Sequence, residues 1–234
     1  IGAPPQLSPD ARSLLWCAEK ARLVTLYDVA TGQPRFASIG PSGDRQELPS
    51  PAWIESRGFS PDGARFLTVA DSPGEGLFRA QVWDTVTGEA VLPPLRHAAS
   101  IDWAAFSPDG RWIVTTGEDR MARVWEAHTG EARIPAIAHP DEVKMACFGD
   151  DSHRLHTACK DGFVRIWHAA TGEPLAAPIG FRASTPYRPY AFPLLGGRFL
   201  HHTSTFNLRW ELPDAPRSVE EWESLAQLLS GQRV

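Results

Sequence analysis

Apolar positions in this chain come in short runs, each closed by a turn signal. Ile101–Phe106 is mostly apolar and ends at Ser107-Pro108-Asp109-Gly110, where proline fixes φ and glycine accepts a positive one. Residues 112–115, Trp-Ile-Val-Thr, favour a strand and lead to a second turn at Gly117-Glu118-Asp119-Arg120. Residues 122–125 alternate small or apolar with charged, as a half-buried strand does. Thr129-Gly130 then turns the chain into an outer strand predicted over residues 132–137. Four short strands joined by evenly spaced turns form an antiparallel meander.

The same pattern recurs along the chain. Phe106-Ser107-Pro108-Asp109-Gly110 is matched by Phe59-Ser60-Pro61-Asp62-Gly63, by Leu7-Ser8-Pro9-Asp10-Ala11 and, in worn form, by Phe148-Gly149-Asp150-Asp151-Ser152. Behind each comes a second signal. Trp83-Asp84-Thr85-Val86-Thr87-Gly88 is repeated at residues 125–130 and 167–172, and with Tyr27 in place of Trp at residues 27–32. Trp83, Trp125, Trp167 and Trp210 follow one another at intervals of 42, 42 and 43 residues. Two linked motifs in one register, with a period of roughly 40–45 residues, predict stacked four-stranded propeller blades.

Composition narrows the function classes. The 234 residues are 42% apolar, with 28 acids against 23 bases and a net charge of −5. Mild acidity argues against nucleic acid or an anionic membrane as the main partner, since both select clustered positive charge. No apolar stretch is long enough to span a bilayer. Cys17, Cys147 and Cys159 have no CxxC spacing, which excludes a disulfide scaffold or a cysteine zinc site. The first residues, Ile1-Gly2-Ala3-Pro4-Pro5, carry neither a start methionine nor a signal segment, so a longer, cytoplasmic parent polypeptide is expected.

The repeated motifs resemble the WD-repeat family of β-propellers, over about residues 7–212. The resemblance implies an all-β propeller of four-stranded antiparallel blades. Five blades are expected here, at about residues 7–50, 51–97, 98–139, 140–180 and 181–212, as part of a seven-bladed ring. It also implies a hydrogen-bonded tetrad in each blade, and His97, Thr115, Asp119 and Trp125 fall at its offsets, as do His139, Thr157, Asp161 and Trp167. A buried Asp needs donors for its charge, and imidazole, hydroxyl and backbone groups supply them. Elsewhere the pattern thins: Tyr27 stands in for Trp, Thr68 has no clear Asp, and the last repeat keeps only Trp210.

Residues 213–234 change character. Ser218-Val219-Glu220-Glu221 is a capping box, and Val219, Trp222, Leu225 and Leu229 follow at helical spacing before Gly231, which predicts a short C-terminal α-helix. This tail resembles the segment that ends the WD-repeat regions of bacterial serine/threonine kinases, common in planctomycetes. The chain itself has no G-x-G-x-x-G, H-R-D, D-F-G or P-loop motif.

Nothing reads as an active site. His153, His156, His201 and His202 lack metal-ligand spacing on a helix, Asp150-Asp151 aligns with a turn motif, and Cys159 falls on a core strand. No cofactor, metal or catalytic residue is expected. Departures from the period say more. Tyr27 to Trp83 spans 56 residues, 14 beyond one period, with nine extra before Pro61 and five extra within residues 70–79. In the family both loop classes open on one face, which makes Asp44, Arg45, Glu47, Trp53, Glu75, Phe78 and Arg79 candidate partner contacts. The expected function is a non-catalytic protein-interaction scaffold in a bacterial signalling protein, with a protein or peptide partner on that face. Two alternatives stand beside it. One is a self-assembling module whose open sheet edges another chain completes. The other is an enzyme at a central channel, where the inner strands offer Ser56, Arg57, Trp103 and Lys144.

Overall fold

The computed structural model describes residues 5–18, 23–40, 53–72, 77–180, 190–194, 198–202 and 207–211. The elements are β1 (Gln6–Leu7), β2 (Ser13–Ala18), β3 (Leu23–Asp28), β4 (Trp53–Phe59), β5 (Arg65–Ser72), β6 (Leu77–Asp84), β7 (Leu95–Arg96), β8 (Ile101–Phe106), β9 (Trp112–Gly117), β10 (Met121–Glu126), β11 (Ile137–Ala138), β12 (Val143–Phe148), β13 (Arg154–Cys159), β14 (Phe163–His168), β15 (Ile179–Gly180), β16 (Tyr190–Leu194), β17 (Arg198–His202) and β18 (Asn207–Glu211). They form five antiparallel meanders in chain order: sheet I (β1–β3), II (β4–β7), III (β8–β11), IV (β12–β15) and V (β16–β18). Among the described residues no helix is long and apolar enough to cross a membrane. The C-terminal helix predicted at residues 218–229 lies outside the described residues.

Strand alternation places the core between sheets rather than within them. On β9, Ile113 packs against sheet II with Leu67, Val69, Val82 and Leu95. Its neighbour Val114 points the other way, to join Ala146, Phe148 and Leu155 of sheet IV. On β5, Phe66 joins Leu15, Val24 and Leu26 of sheet I, while Leu67 faces sheet III. Sheets II and III therefore each have two buried faces, and the period of two carries alternate side chains to different neighbours.

The turns explain the recurring motif. Ser107 Oγ donates to Asp109 Oδ1 at 2.6 Å and accepts from Trp112 N at 2.9 Å, while Asp109 Oδ1 accepts from Arg111 N at 3.0 Å. Ser8-Asp10 and Ser60-Asp62 repeat these bonds. The residue after Asp is left-handed, with φ of 70° at both Gly63 and Gly110. Where the motif is worn the backbone keeps that shape: Ala11 has φ 56° and Ser152 has φ 57°.

Two expectations change. The outer strand predicted at 132–137 touches its sheet at two places, through the bridge Trp125↔Ala132 and through β11. Between them Ile134 turns inward and is 8% exposed, and Pro135 can donate nothing to a ladder. The five extra residues in 70–79 also do not form one loop. They lengthen β5 and β6 to eight residues each, against six in β9 and β10. Phe78 and Arg79 are thus half-buried strand residues, paired in register with Asp71 and Ala70.

An L-residue with a Cβ is strained at φ near 56°, and Ala11 is exposed, so glycine there loses no contact. Ala11→Gly should stabilise the protein by about 0.5–1 kcal/mol, read as a higher urea midpoint with unchanged slope.

Candidate functional site

The loops that carry the expected tetrads lie where one sheet hands over to the next. His97 follows β7 of sheet II, yet its ring reaches sheet III, where Nε2 lies 2.7 Å from Thr115 Oγ1. Trp125 Nε1 also lies 2.8 Å from that hydroxyl. Indole can only donate, so Thr115 Oγ1 accepts from Trp125 while it also bonds His97 Nε2. The other ring nitrogen, Nδ1, lies 3.0 Å from Asp119 Oδ1 and 2.8 Å from Arg123 Nη1. Arg123 closes the set with a 2.7 Å bond to Asp119 Oδ2. Burial pushes the His97 imidazole below its ordinary value, against the pull of Asp119. For Asp119 burial acts upward, but the bonds from His97 and Arg123 outweigh it and hold the carboxyl far below the usual range.

Sheet IV repeats only part of this chain. Trp167 Nε1 donates to Thr157 Oγ1 at 2.9 Å, and Thr157 meets His139 Nε2 at 2.8 Å. His139 Nδ1, however, donates to Ile137 O at 3.1 Å. Asp161 instead binds Arg165, with a 2.6 Å contact from Nη2, so the His–Asp bond expected by analogy is absent from this set. The His139 ring packs edge-on against Trp167, with centroids 5.3 Å apart. Burial lowers its pKa to about 4. Sheet II keeps the Trp83-to-Thr68 bond at 2.8 Å. In sheet I, Trp16 and Tyr27 occupy the matching positions, with ring centroids 6.2 Å apart.

Beside these chains lies an ionic cluster that composition did not point to. Asp102 on β8 and Lys144 on β12 are 42 residues apart, one full period, and so stand at the same place on adjacent inner strands. Lys144 Nζ lies 3.1 and 3.0 Å from the two Asp102 oxygens, 2.7 Å from Glu142 Oε2 and 4.0 Å from Glu118 Oε1. Lys160 Nζ binds Glu142 Oε1 at 2.8 Å. Burial pushes the Asp102 carboxyl up, against Lys144. Burial also works against the Lys144 ammonium, but its carboxylate partners prevail and keep its pKa above the ordinary value. A lysine held charged in this way is no nucleophile. The three carboxylates, each offering an oxygen within 4.8 Å of the others, have that ammonium seated among them.

Asp71, at the end of β5, adjoins the cluster. It is 2% exposed, and Ser100 Oγ donates to its Oδ2. Its pKa is raised, chiefly by burial, with smaller contributions from Glu118 and Asp102. The offset between Asp102 and Lys144 was the sequence signal for this region: opposite charges at equivalent positions of neighbouring repeats.

The sequence-derived contact candidates scatter. Asp44, Arg45, Glu47 and Glu75 lie outside the described residues. Trp53 begins β4 and is described in its backbone only. Phe78 and Arg79 belong to β6, where Phe78 O accepts from His97 N at 3.0 Å. Of the histidines weighed as ligands, His156 is 2% exposed, with Nδ1 3.8 Å from Cys147 Sγ. Burial sets that imidazole to about 4 and the thiol to about 12, so both are neutral.

Two predictions follow from these bonds. Thr115→Val strands the Trp125 donor and His97 Nε2, and should lower stability by about 2–4 kcal/mol in urea unfolding. Thr68→Val strands one described donor and should lower it by about 1–2 kcal/mol. The second prediction concerns acid. Neutral in the fold, His139 and His156 take up protons near pH 6.5 only when unfolded. Their contribution is complete above that pH and lost as pH falls toward about 4. Each should lower stability by about 2 kcal/mol by pH 5, and His156→Leu should flatten the pH profile of the melting temperature. Asp71 and Asp102, whose carboxyls are raised, act with the opposite sign at the acid end.

Comparison with curated proteins finds no match for the chain. The stretches that hold the two His–Thr–Trp chains, residues 94–126 and 134–168, match the family model of the WD domain, G-beta repeat, which supports a WD-repeat family for this protein.

Proposed function

We propose that this chain is a non-catalytic protein–protein interaction scaffold, acting as the docking or sensing region of a larger bacterial signalling protein. WD domains generally mediate such interactions. The observation that best supports the reading is that several features share one end of the sheets. The lengthened β5–β6 hairpin, the turns at 118–120 and 160–162 and the loops at 97–100 and 139–142 all join strands there. The insertion between Gly40 and Trp53 belongs to the same class of connection. Sheets packed on both faces hold that end rigid, and loops on a rigid scaffold are where recognition concentrates.

A protein or peptide laid across this end would meet Trp53 and Arg45 as anchors and the Asp102–Glu118–Glu142 rim as an electrostatic filter. The half-buried Phe78 and Arg79 contribute to the hairpin that presents the loop. The test is site-specific photocrosslinking in cells, with the reactive residue at position 45 or 75 and, at the opposite end, at position 87. Crosslinks to one partner from 45 and 75 but not from 87 are expected. Replacing Asp44, Arg45 and Glu47 together by Ala should weaken that partner about tenfold or more without altering the circular dichroism. Crosslinking confined to position 87, or unchanged affinity in the triple variant, overturns the reading.

A further inference from the structure

A pair of side chains seals the outer edge between successive sheets, and its sizes follow a rule. The residue nine beyond the aromatic of each third strand stands on the outer segment: Phe36, Leu92, Ile134 and Ala176 in sheets I to IV. It meets the next sheet near the residue two beyond that sheet's own aromatic. Leu92 shares one buried cluster with Ala127, and Ile134 shares another with Ala169. Phe36 packs on the cluster between sheets I and II, where the buried Thr85 holds the second position. The turn that follows shows how close the approach is. A Cβ on Gly130 would stand 3.5 Å from Leu92 Cβ, one on Gly172 would stand 3.1 Å from Ile134 Cδ1, and one on Gly88 would overlap the Phe36 ring. In all three seams a large side chain of the outer segment meets a small residue of the next sheet.

Sheet IV departs from the rule. Its outer segment carries Ala176, half-buried between the exposed Leu175 and Ala177. Beside it lies a cavity of about 500 Å³, lined by Arg165, Trp167 and residues 174–178. Sheet V comes next, with β16 set against β12 and β13. Its third strand keeps the register of the others, since Trp210 pairs with Phe199 as Trp125 pairs with Ile113 and Trp167 with Leu155. Two beyond Trp210 stands Leu212, which lies outside the described residues. Ala127 and Ala169 directly follow the last residues of β10 and β14, and Leu212 directly follows the last residue of β18. No turn intervenes to shift it.

We infer that Leu212 seals the outer edge between sheets IV and V, packing on Ala176 beside this cavity as a size-inverted copy of the Leu92–Ala127 and Ile134–Ala169 pairs. The seam then keeps one large and one small aliphatic group, and close-packed interfaces tolerate such a volume-conserving exchange best. The occupant of this edge is the C-terminal segment of the chain itself.

A double-mutant cycle on the 234-residue chain tests the pairing. Leu212→Ala leaves a void and Ala176→Leu overfills the seam, so each alone should lower the melting temperature by about 4–8 °C. The double variant Ala176→Leu/Leu212→Ala restores the pattern of the other seams and should recover at least about half of the summed loss. Losses that simply add overturn the proposal. So does an Ala176→Leu variant that melts above the parent, because its leucine has then filled a space that Leu212 leaves empty. A second readout is independent of stability. With Ala176→Cys and Leu212→Cys, oxidised glutathione, itself reduced to the thiol, should join the two new cysteines within one molecule. Mass spectrometry of the digest should then show the peptide cross-linked between positions 176 and 212. Absence of that peptide overturns the proposal, and so does a link that forms only between two molecules and grows with concentration.

Discussion

A buried threonine hydroxyl governs how these sheets join. Thr115 accepts from the indole of its own sheet and bonds an imidazole that follows the outer strand of the preceding one. A hydroxyl serves both at once because it carries one donor and two acceptor lone pairs. The far edge of the same ring lies against Asp119 and Arg123. The outer strand of sheet II is thereby tied to the second and third strands of sheet III. Once that tie is made, the alternating aliphatic faces on either side can close without stranding polar groups. Thr157 makes the same tie one period later.

Much of this was legible because it is local and periodic. The Ser-Pro-Asp-Gly turns and the Trp spacing follow from residue chemistry within one repeat, and the strands stand close to where those signals put them. What escaped depends on distances between repeats or on competition for one partner. Asp161 stands at the same offset as Asp119, and Arg165 at the same offset as Arg123. Yet Asp119 serves both His97 and Arg123, while Asp161 serves Arg165 and leaves His139 to a backbone carbonyl. Spacing cannot rank two donors for one carboxylate. The hairpin at Phe78 and Arg79 shows a different limit, because counting extra residues does not say whether they extend strands or widen a loop. The outer strand was overdrawn for a reason visible in the chain: Pro135 ends the ladder that the apolar pattern continues.

The ionic rim changes what the proposed recognition end offers. Loop residues alone suggested aromatic and arginine anchors. The structure adds three carboxylates around one ammonium beside the buried Asp71. Groups so closely matched to each other gain little from a small ion of either sign, but they set the local potential that an approaching chain must satisfy. In the proposed interface, rim and loops divide the work, the first selecting charge and the second supplying contact area.

The pairing of Asp102 with Lys144 has a consequence for assembly order. Repeats this alike can mispair while folding, either with a neighbour's copy or one place out of sequence. Equivalent positions bearing opposite charges give adjacent repeats distinct addresses. If sheet III of one molecule were to take the place of sheet IV in another, Asp102 would face Asp102, and the reverse exchange would set Lys144 against Lys144. Such like-charge contacts disfavour the wrong arrangement, while the native pair favours the right one. A single ion pair of modest strength therefore acts as a proofreading mark on the order of the repeats.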